Sequence, residues 1–210
     1  MFYIAIVDYE MGNLKSIYKC LQHINAPVKI TDNPQTILNA DGVILPGVGA
    51  FGDAMAHLKQ KDLIGTIQQI AMEQIPLFGI CLGLQLLFSK SYEMGEHEGL
   101  DLFKGEIVKF DETKVDKIPQ IGWNNVEFQD THHYLVQNIP NNSYFYFVHS
   151  FYCNPANPDN VLGKTRYGEI EFCSMVYDRS SNIIASQFHP EKSSRYGIQI
   201  YRNFITHCKK

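Results

Sequence analysis

Short apolar runs alternate with amphipathic segments over the first hundred residues of the chain. The apolar runs predict strands, and they are YIAIVD, PVKIT, GVILPG and PLFGIC. Between them, GNLKSIYKCLQHIN places Leu14, Ile17, Leu21 and Ile24 at helical spacing, and DAMAHLKQKDLIGTIQQIAMEQ also has a helical pattern. Apolar strands that alternate with amphipathic helices predict an α/β fold whose central, mostly parallel sheet is flanked by helices.

After about residue 100 the pattern changes. Strand-like segments now follow one another with short, turn-rich links, and they are GEIVKF, IGWNNVEF, SYFYFVH, VLGKTR, EFCSMVYD and NIIASQFH. This texture predicts an antiparallel or mixed C-terminal portion of the fold. The last segment, SSRYGIQIYRNFITHC, has the pattern of a closing amphipathic helix. No internal repeat or linker interrupts the chain, so we expect a single domain over residues 1–210.

Composition and charge narrow the classes of function. A net charge of -4 leaves no broad basic field for a nucleic-acid backbone, so nucleic acid is not an expected partner. No basic leader precedes the first strand and no apolar run approaches ~20 residues, so we expect a cytoplasmic protein without a membrane partner. The cysteines form no CxxC pair, and each is judged alone: Cys20, Cys81, Cys153, Cys173 and Cys208.

Cys81 lies between two glycines at the junction of a predicted strand and a predicted helix. PLFGICLGLQLLF, residues 76–88, matches the strand, turn and helix of a nucleophile elbow, with cysteine in place of serine. A thiol at a helix N-terminus meets free N–H groups and the positive end of the helix dipole, which favour the thiolate. The alternative is that Cys81 is a small buried residue in a glycine-rich turn.

A histidine and a glutamate follow a predicted strand near the C-terminus. In SQFHPEKSS, His189 ends the strand and Glu191 lies two residues further on. In an extended chain, which Pro190 would help to maintain, both side chains point to the same side. Taken alone, His189 would be a structural residue and Glu191 a solvated charge. Together with a cysteine elbow they predict the acyl-transfer arrangement, in which a carboxylate orients an imidazole that activates the thiol.

The segment LPGVGAFGD, residues 45–53, runs from a predicted buried strand into a glycine-rich turn. Such a turn can present backbone N–H groups to a developing oxyanion, and we expect Val48 and Gly49 to act with the N–H of Leu82. A phosphate-binding loop is the alternative. It is disfavoured because no Lys-Ser/Thr pair follows the glycines and Asp53 would repel a phosphate.

Four stretches together resemble the class I, triad-type glutamine amidotransferases: GICLGLQLLF, PGVGAFGDAM, YFVHSF and QFHPEKSS. The opening IVDYEMGNLKSI, the IGWN at 121–124 and the order of the motifs resemble the glutaminase subunits of imidazole glycerol phosphate synthase. The resemblance implies the class I amidotransferase fold and hydrolysis of L-glutamine to glutamate without a metal or organic cofactor. It also implies a heterodimer with a (β/α)8 barrel synthase subunit, which uses the ammonia to form imidazole glycerol phosphate and an aminoimidazole ribonucleotide in histidine biosynthesis.

The same resemblance implies roles for individual residues. Cys81 would be the nucleophile, His189 the general acid and base, and Glu191 the orienting carboxylate. The substrate contacts that it implies are Gly52, Gln85 and the backbone of Ser150, Phe151 and Tyr152. The residues that it implies on the side of the synthase are Asn13, Gln120, Trp123 and Lys192. For Trp123 the alternative is a core position, and for Lys192 it is a free surface lysine.

Two residues depart from the pattern of the resembled subunits. Glu10 stands where a glycine is usual, and Gln120 stands where a histidine is usual. Both lie on the expected partner side, so a second hypothesis is a glutaminase that supplies ammonia for amidination of bacterial surface sugars. Two further hypotheses are a non-catalytic regulatory module and a stand-alone hydrolase of γ-glutamyl substrates. Mixing the chain with glutamine alone would separate the last two, since only the hydrolase turns over unaided.

Overall fold

The structure is a computed structural model, and it describes residues 1–209. Its strands are β1 (Ile4–Val7), β2 (Val28–Thr31), β3 (Gly42–Leu45), β4 (Leu77–Ile80), β5 (Phe88–Ser91), β6 (His97–Glu98), β7 (Phe103–Lys109), β8 (Gln120–Phe128), β9 (Ser143–His149), β10 (Phe151–Pro155), β11 (Val161–Tyr167), β12 (Ile170–Asp178) and β13 (Ile183–Ser186). Its α-helices are α1 (Leu14–His23), α2 (Pro34–Leu38), α3 (Phe51–Gln60), α4 (Ile64–Met72), α5 (Leu82–Leu86) and α6 (Ser194–Cys208). Short 3-10 turns occupy Tyr134–Val136, Pro158–Asn160 and Pro190–Lys192.

The first four strands of the chain and β13 form the parallel part of one mixed sheet. Its strands lie in the order β2-β1-β3-β4-β13, and every neighbouring pair in this run is parallel. All residues of β1, β3, β4 and β13 are buried, as expected for parallel strands covered on both faces. The predicted α/β fold with a mostly parallel central sheet is therefore confirmed.

The second half of the chain extends the sheet with mainly antiparallel strands. β12 pairs antiparallel with β13, β10 pairs antiparallel with β12 and β7, and β5 pairs parallel with β7. Off this path, β8, β9 and β11 form an antiparallel group joined to β12. This arrangement confirms the predicted antiparallel or mixed portion.

Helices cover both faces of the parallel strands. Successive side chains of each strand point to opposite faces of the sheet, and both sets are apolar. In β1, Ala5 and Val7 pack into a core with residues of α2, α3 and α4. Ile4 and Ile6 point the other way, into a second core with residues of α1 and α6. Each strand of this region therefore contributes to two hydrophobic layers.

Some boundaries differ from the sequence prediction. The long helical pattern after residue 52 is two helices, because the chain turns between α3 and α4 where Asp62 has φ 55°. The apolar LQLLF does not remain helical, since α5 ends at Leu86 and Phe88 begins β5. The short elements α2, β5, β6 and β10 were not predicted. Among them, α2 has a local signal, since the side chain of Asn33 accepts the N–H of Thr36 at 2.9 Å and Pro34 begins the helix.

The order of the parallel strands determines where the chemistry can occur. β3, β4 and β13 are adjacent and parallel, so their carboxyl ends meet at one edge of the sheet. The glycine-rich turn follows β3, Cys81 follows β4 and His189 comes shortly after β13. Ligand sites of open α/β sheets lie at this edge. Among the described residues, no helix is long and apolar enough to cross a membrane.

Candidate active site

Cys81 occupies a sharp turn between β4 and α5. Its backbone has φ 55° and ψ -111°, a conformation that costs a residue with a side chain on the order of 1–3 kcal/mol. A Cβ at Gly83 would overlap the carbonyl oxygen of Leu45, and one at Gly47 would lie 2.7 Å from the amide nitrogen of Gly83. Glycine is needed at both positions because the turn after β3 packs directly on the turn that carries Cys81.

The thiol of Cys81 is largely buried, and it borders an open cavity of about 300 Å3. The Cys81 Sγ lies 3.9 Å from the carbonyl oxygen of Val148 and 3.8 Å from Nε2 of Gln187. The amide N–H of Cys81 donates to the carbonyl of Ser186 at 2.8 Å, which ties the turn to the end of β13. Because β13 leads to His189, this bond also holds the two halves of the site together.

His189 and Glu191 form a buried pair beside Cys81. His189 Nδ1 lies 2.8 Å from Glu191 Oε1, and the hydroxyl of Tyr201 donates to Glu191 Oε2 at 3.4 Å. The expected extended chain through Pro190 is wrong: His189 is extended, but Pro190–Lys192 forms a 3-10 turn. The turn brings the carboxylate back to the imidazole, so the contact is made by a reversal of the chain and not by strand alternation.

The surroundings of His189 favour its protonated form. Burial by itself lowers the pKa of His189, but the charge of the Cys81 thiolate and the charge and hydrogen bond of Glu191 outweigh it and raise the pKa to about 10. Nδ1 donates to Glu191, whereas Nε2 has no hydrogen-bond partner among the described residues. The arrangement can therefore accept a proton from the thiol and hold it on the ring as an imidazolium.

The glycine-rich turn after β3 lines the same cavity as His189. Val48 and Gly49 line this cavity together with Leu82, the first residue of α5, whose N–H lies in the helix turn where amides lack intrahelical acceptors. Gly49 has φ 95°, a conformation suited to glycine. The N–H of Val48 donates to the carbonyl of Met11 at 3.4 Å, so in this conformation it is turned to the protein.

The implied substrate contacts do not all reach the cavity. Gln85, Ser150 and Phe151 line it. Gly52 lies in the first turn of α3, where a Cβ would meet the ring of His97 at 2.7 Å, and it is not among the described lining residues. Tyr152, whose backbone was expected to contact the substrate, is also not among the described lining residues, and its ring packs on Phe110 with 4.8 Å between the ring centres.

Glu93 lines the cavity and was missed in the sequence. Its Oε2 accepts the N–H of Phe51 at 2.7 Å, at the start of α3. A carboxylate at a helix N-terminus is stabilised by the free N–H groups there. Glu93 lies in SYEMGEHEG, a polar stretch with the appearance of an ordinary surface loop, and no local signal marks it as part of the site.

His149 is part of the cavity wall and is held there by two hydrogen bonds. Its Nδ1 lies 2.8 Å from the carbonyl oxygen of Phe151, and its Nε2 lies 3.0 Å from the side-chain amide of Gln120. Burial lowers the pKa of His149 to about 4, so the ring is neutral at pH 7. Because a carbonyl can only accept, Nδ1 carries the hydrogen and Nε2 accepts, so the Gln120 amide is assigned with its NH2 group toward the ring.

Gln120 is buried, contrary to its expected place on the partner side. It was expected on the surface that meets the synthase, but its side chain is 3% exposed and bonded to His149. The reason is strand alternation: the next residue of β8, Ile121, points outward and is exposed. The residue thus sits behind the substrate wall instead of on the outer face.

The remaining residues expected on the partner side lie at or near the surface. Trp123 is 53% exposed and its ring centre lies 6.2 Å from that of Tyr146. The Nζ of Lys192 lies 5.6 Å from the ring centre of the same Tyr146. Asn13 precedes α1, and its carbonyl accepts the N–H of Ser16 at 3.2 Å. Trp123 is thus not a core residue.

Glu10 has a backbone conformation that explains why glycine is usual at this position. Its φ is 69°, which glycine adopts without steric cost. The exposed carboxylate pairs with Lys61 at 2.9 Å, and the hydrogen bond from Lys61 lowers the pKa of Glu10. The departure therefore places a surface charge on a turn whose backbone conformation favours glycine.

Comparisons with known proteins agree with this geometry. The glutamine amidotransferase class-I family model matches residues 5–208. The chain is 50% identical over 199 residues to the imidazole glycerol phosphate synthase subunit HisH of Carboxydothermus hydrogenoformans, covering 95% of this chain and 96% of that one. It is 49% identical over 201 residues to the subunit of the same name from Moorella thermoacetica, covering 96% and 93%.

Solved structures show the same fold at low sequence identity. One is PurLQS from Thermotoga maritima, which matches with a TM-score of 0.75 at 20% identity and covers 99% of each chain. Another is a glutamine amidotransferase from Thermotoga maritima, with a TM-score of 0.64 at 15% identity, covering 99% of this chain and 82% of that one. The full-length match to the HisH subunits is the more specific of the findings. The chain therefore belongs to the class-I glutamine amidotransferases, and within them to the family of imidazole glycerol phosphate synthase HisH subunits.

Proposed function

We propose that the chain hydrolyses glutamine at Cys81 and passes the ammonia to a (β/α)8 barrel synthase subunit. The observation that carries this proposal is the meeting of Cys81 and His189 at one cavity, with Glu191 bonded to His189 and the thiol on a strained turn. Residues 1–210 would act as one glutaminase domain; Lys210 lies outside the described residues. The two HisH relatives named above favour the histidine pathway over amidination of surface sugars.

The reaction would begin with transfer of the Cys81 thiol proton to Nε2 of His189. The thiolate attacks the side-chain carbonyl carbon of glutamine, and the carbonyl electrons move to the oxygen. Backbone N–H groups at Gly49 and Leu82 would stabilise this oxyanion. His189 returns its proton to the departing nitrogen, the C–N bond breaks, and ammonia leaves a γ-glutamyl thioester on Cys81.

Water would then complete the cycle. His189 takes a proton from the water as its oxygen attacks the thioester carbonyl, glutamate forms and the thiolate is released. Ammonia must leave unprotonated to act as a nucleophile. A path shielded from bulk water is therefore needed, which is the reason for a docked synthase.

The wall of the cavity supplies groups that fit the amino-acid end of glutamine. The Glu93 carboxylate offers a negative charge for the α-ammonium group. Gln85 donates its side-chain N–H groups to Phe151 and Gln187, so its Oε1 remains available to accept from the same ammonium. We propose that these two residues orient the substrate with its side-chain amide toward Cys81.

The first prediction concerns the nucleophile. Cys81→Ala is expected to abolish glutamine-dependent synthesis in the complex and to leave synthesis from added ammonium salts intact, because only ammonia generation uses the thiol. The measurement is the rate of product formation with each nitrogen source. Cys208→Ala, which alters a cysteine near Asp41, is the control and should retain both activities. Equal losses with glutamine and with ammonium salts in Cys81→Ala would refute the assignment.

The same variants test the pathway in a cell. A histidine auxotroph that lacks its glutaminase subunit, supplied with this chain and its native barrel, should grow without histidine. The strain carrying Cys81→Ala should grow only with high ammonium. Absence of growth despite soluble expression of both native chains would reject the histidine pathway while leaving the glutaminase chemistry open to the assay above.

The second prediction concerns Glu191. Glu191→Gln should lower the pKa of His189 from its value of about 10, because a neutral amide no longer stabilises the imidazolium. Glutaminase turnover should fall, but by less than the ~10²–10⁴-fold expected for His189→Ala, which removes the proton carrier itself. An NMR titration of His189 measures the pKa. Glu98→Gln, an exposed change, is the control, and an unaltered His189 pKa in Glu191→Gln would contradict the proposed pairing.

The third prediction concerns activation by the partner. The N–H of Val48 is bonded to Met11, and Gly49 can rotate its peptide planes at little steric cost. We therefore expect low glutaminase activity from the chain alone and a sharp rise when a ligand-loaded synthase docks. Glutamate release with and without the partner measures this. Full activity of the lone chain, unchanged by partner and ligand, would rule out a gated site.

A further inference from the structure

We infer that Gln187 is a catalytic residue, whose side-chain NH2 group donates to the Cys81 thiolate while its Oε1 holds the substrate-binding Gln85. The inference rests on the proposed function, in which Cys81 attacks glutamine. Gln187 lies two residues before His189, in the bend that follows β13, and its side chain contacts the sulfur of Cys81. The segment after β13 would thus supply both an anion-stabilising donor and a proton acceptor to one sulfur.

The orientation of Gln85 follows from an acceptor that cannot reverse its role. The carbonyl oxygen of Phe151 can only accept, and it lies 3.0 Å from Gln85 Nε2. The NH2 group of Gln85 must therefore be on this side. Its second N–H points to the side chain of Gln187, also at 3.0 Å.

The orientation of Gln187 follows from that of Gln85. Since Gln85 donates its second N–H, the Gln187 atom that receives it must be Oε1. The other end of the Gln187 amide is then the NH2 group, which lies 3.8 Å from Cys81 Sγ. The carbonyl of Phe151 thus fixes the orientation of both glutamine side chains, so that a donor of Gln187, and not its acceptor, faces the sulfur of Cys81.

Ionisation of the thiol makes this donor necessary. The neighbour of Sγ on another side is the carbonyl oxygen of Val148, at 3.9 Å, which can accept from an S–H group but repels a thiolate. Gln187 is fully buried, so water does not compete for its NH2 group. Hydrogen bonds to charged groups in such places are worth about 10- to 100-fold in an equilibrium.

Among the described residues, the side chain of Gln187 bonds Gln85 and Cys81, and it bonds no titratable group other than Cys81. His189 faces the sulfur and carries the proton, with Glu191 behind it. Tyr9 lies close enough for the charge on Cys81 to affect it, and its hydroxyl donates to the carbonyl of Pro46 at 2.6 Å. A change in the titration of Cys81 in Gln187→Leu, which adds no charge, can therefore be assigned to the lost donor.

The test is the pH dependence of Cys81 alkylation by iodoacetamide in the full chain, read from the Cys81 peptide by mass spectrometry. Gln187→Leu removes the donor and the acceptor without adding a charge, whereas Gln187→Glu keeps an acceptor for Gln85 but replaces the donor with a carboxylate that also repels the thiolate. Both variants should raise the pH midpoint of Cys81 alkylation by about one unit or more. At a pH below the midpoint, this shift corresponds to a tenfold smaller fraction of thiolate. Ser186→Ala, whose hydroxyl bonds the carbonyl of Phe188, is the control and should keep the wild-type midpoint.

Steady-state kinetics in the complex separates the two contacts. Gln187→Leu should raise KM and lower kcat for glutamine, because Gln85 loses its support. Gln187→Glu should lower kcat with a smaller change in KM. Synthesis from ammonium salts should be unchanged in both variants, because only ammonia generation uses Cys81, and the circular dichroism spectrum of each variant reports whether its fold is intact. Unchanged midpoints for Cys81 in folded variants would overturn the inference.

A measurement on the wild-type chain needs no variant. The NMR signals of the Gln187 side-chain NH2 group should shift with the same pH midpoint as Cys81 alkylation, and a signal that does not respond would also overturn the inference. Failure of the proposed function itself would give a different result for the reactivity of wild-type Cys81. In that case wild-type Cys81 would react no faster than Cys153 or Cys173, whereas a reactive Cys81 that is indifferent to Gln187 would refute the role of Gln187 alone.

Discussion

The site depends on the direct contact between two turns that leave no room for side chains. The turn after β3 and the turn between β4 and α5 pack backbone against backbone, and a Cβ at Gly83 or Gly47 would collide with the opposite turn. This contact holds Cys81 in its positive-φ conformation and sets Gly49 and Leu82 beside the same cavity. Parallel pairing of β3, β4 and β13 then brings His189 to the same edge.

Burial strengthens the hydrogen bonds and charge interactions of the polar groups around this contact. His189, Gln187 and His149 lie in places from which water is largely excluded, where hydrogen bonds and charges act strongly and unpaired groups are costly. His189 and His149 differ in their partners: the pKa of His189 rises beside Cys81 and Glu191, and that of His149 falls because burial dominates. His189 is thus suited to carry a proton, whereas His149 remains neutral and has a structural role in the cavity wall.

Much of this account could be predicted from local sequence. The apolar runs named from the sequence correspond to strands or parts of strands, and the order of strand and helix in the first half is that of a parallel α/β sheet. Cys81, His189 and the glycine-rich turn each follow an apolar strand closely. Parallel pairing makes such positions meet, so their proximity follows from topology alone.

The residues that were missed depend on contacts between distant parts of the chain. Gln187 lies 106 positions from Cys81, and Glu93 bonds an amide 42 positions away, so no window of sequence contains either relation. The inward side chain of Gln120 depends on the register of β8 against β9, which the sequence pattern of PQIGWN does not specify. The turn at Pro190–Lys192 was missed for another reason, since proline suits both an extended chain and the start of a short helix.

The account as a whole claims that glutamine is hydrolysed through an acyl group on one thiol. The most direct measurement is to quench the complex of this chain and its barrel partner with acid during steady-state glutamine turnover, and to map γ-glutamyl adducts by mass spectrometry. The account predicts an adduct on the Cys81 peptide and none on the peptides of Cys20, Cys153, Cys173 or Cys208. Sustained hydrolysis with no adduct on Cys81, or with the adduct on another cysteine, would contradict it.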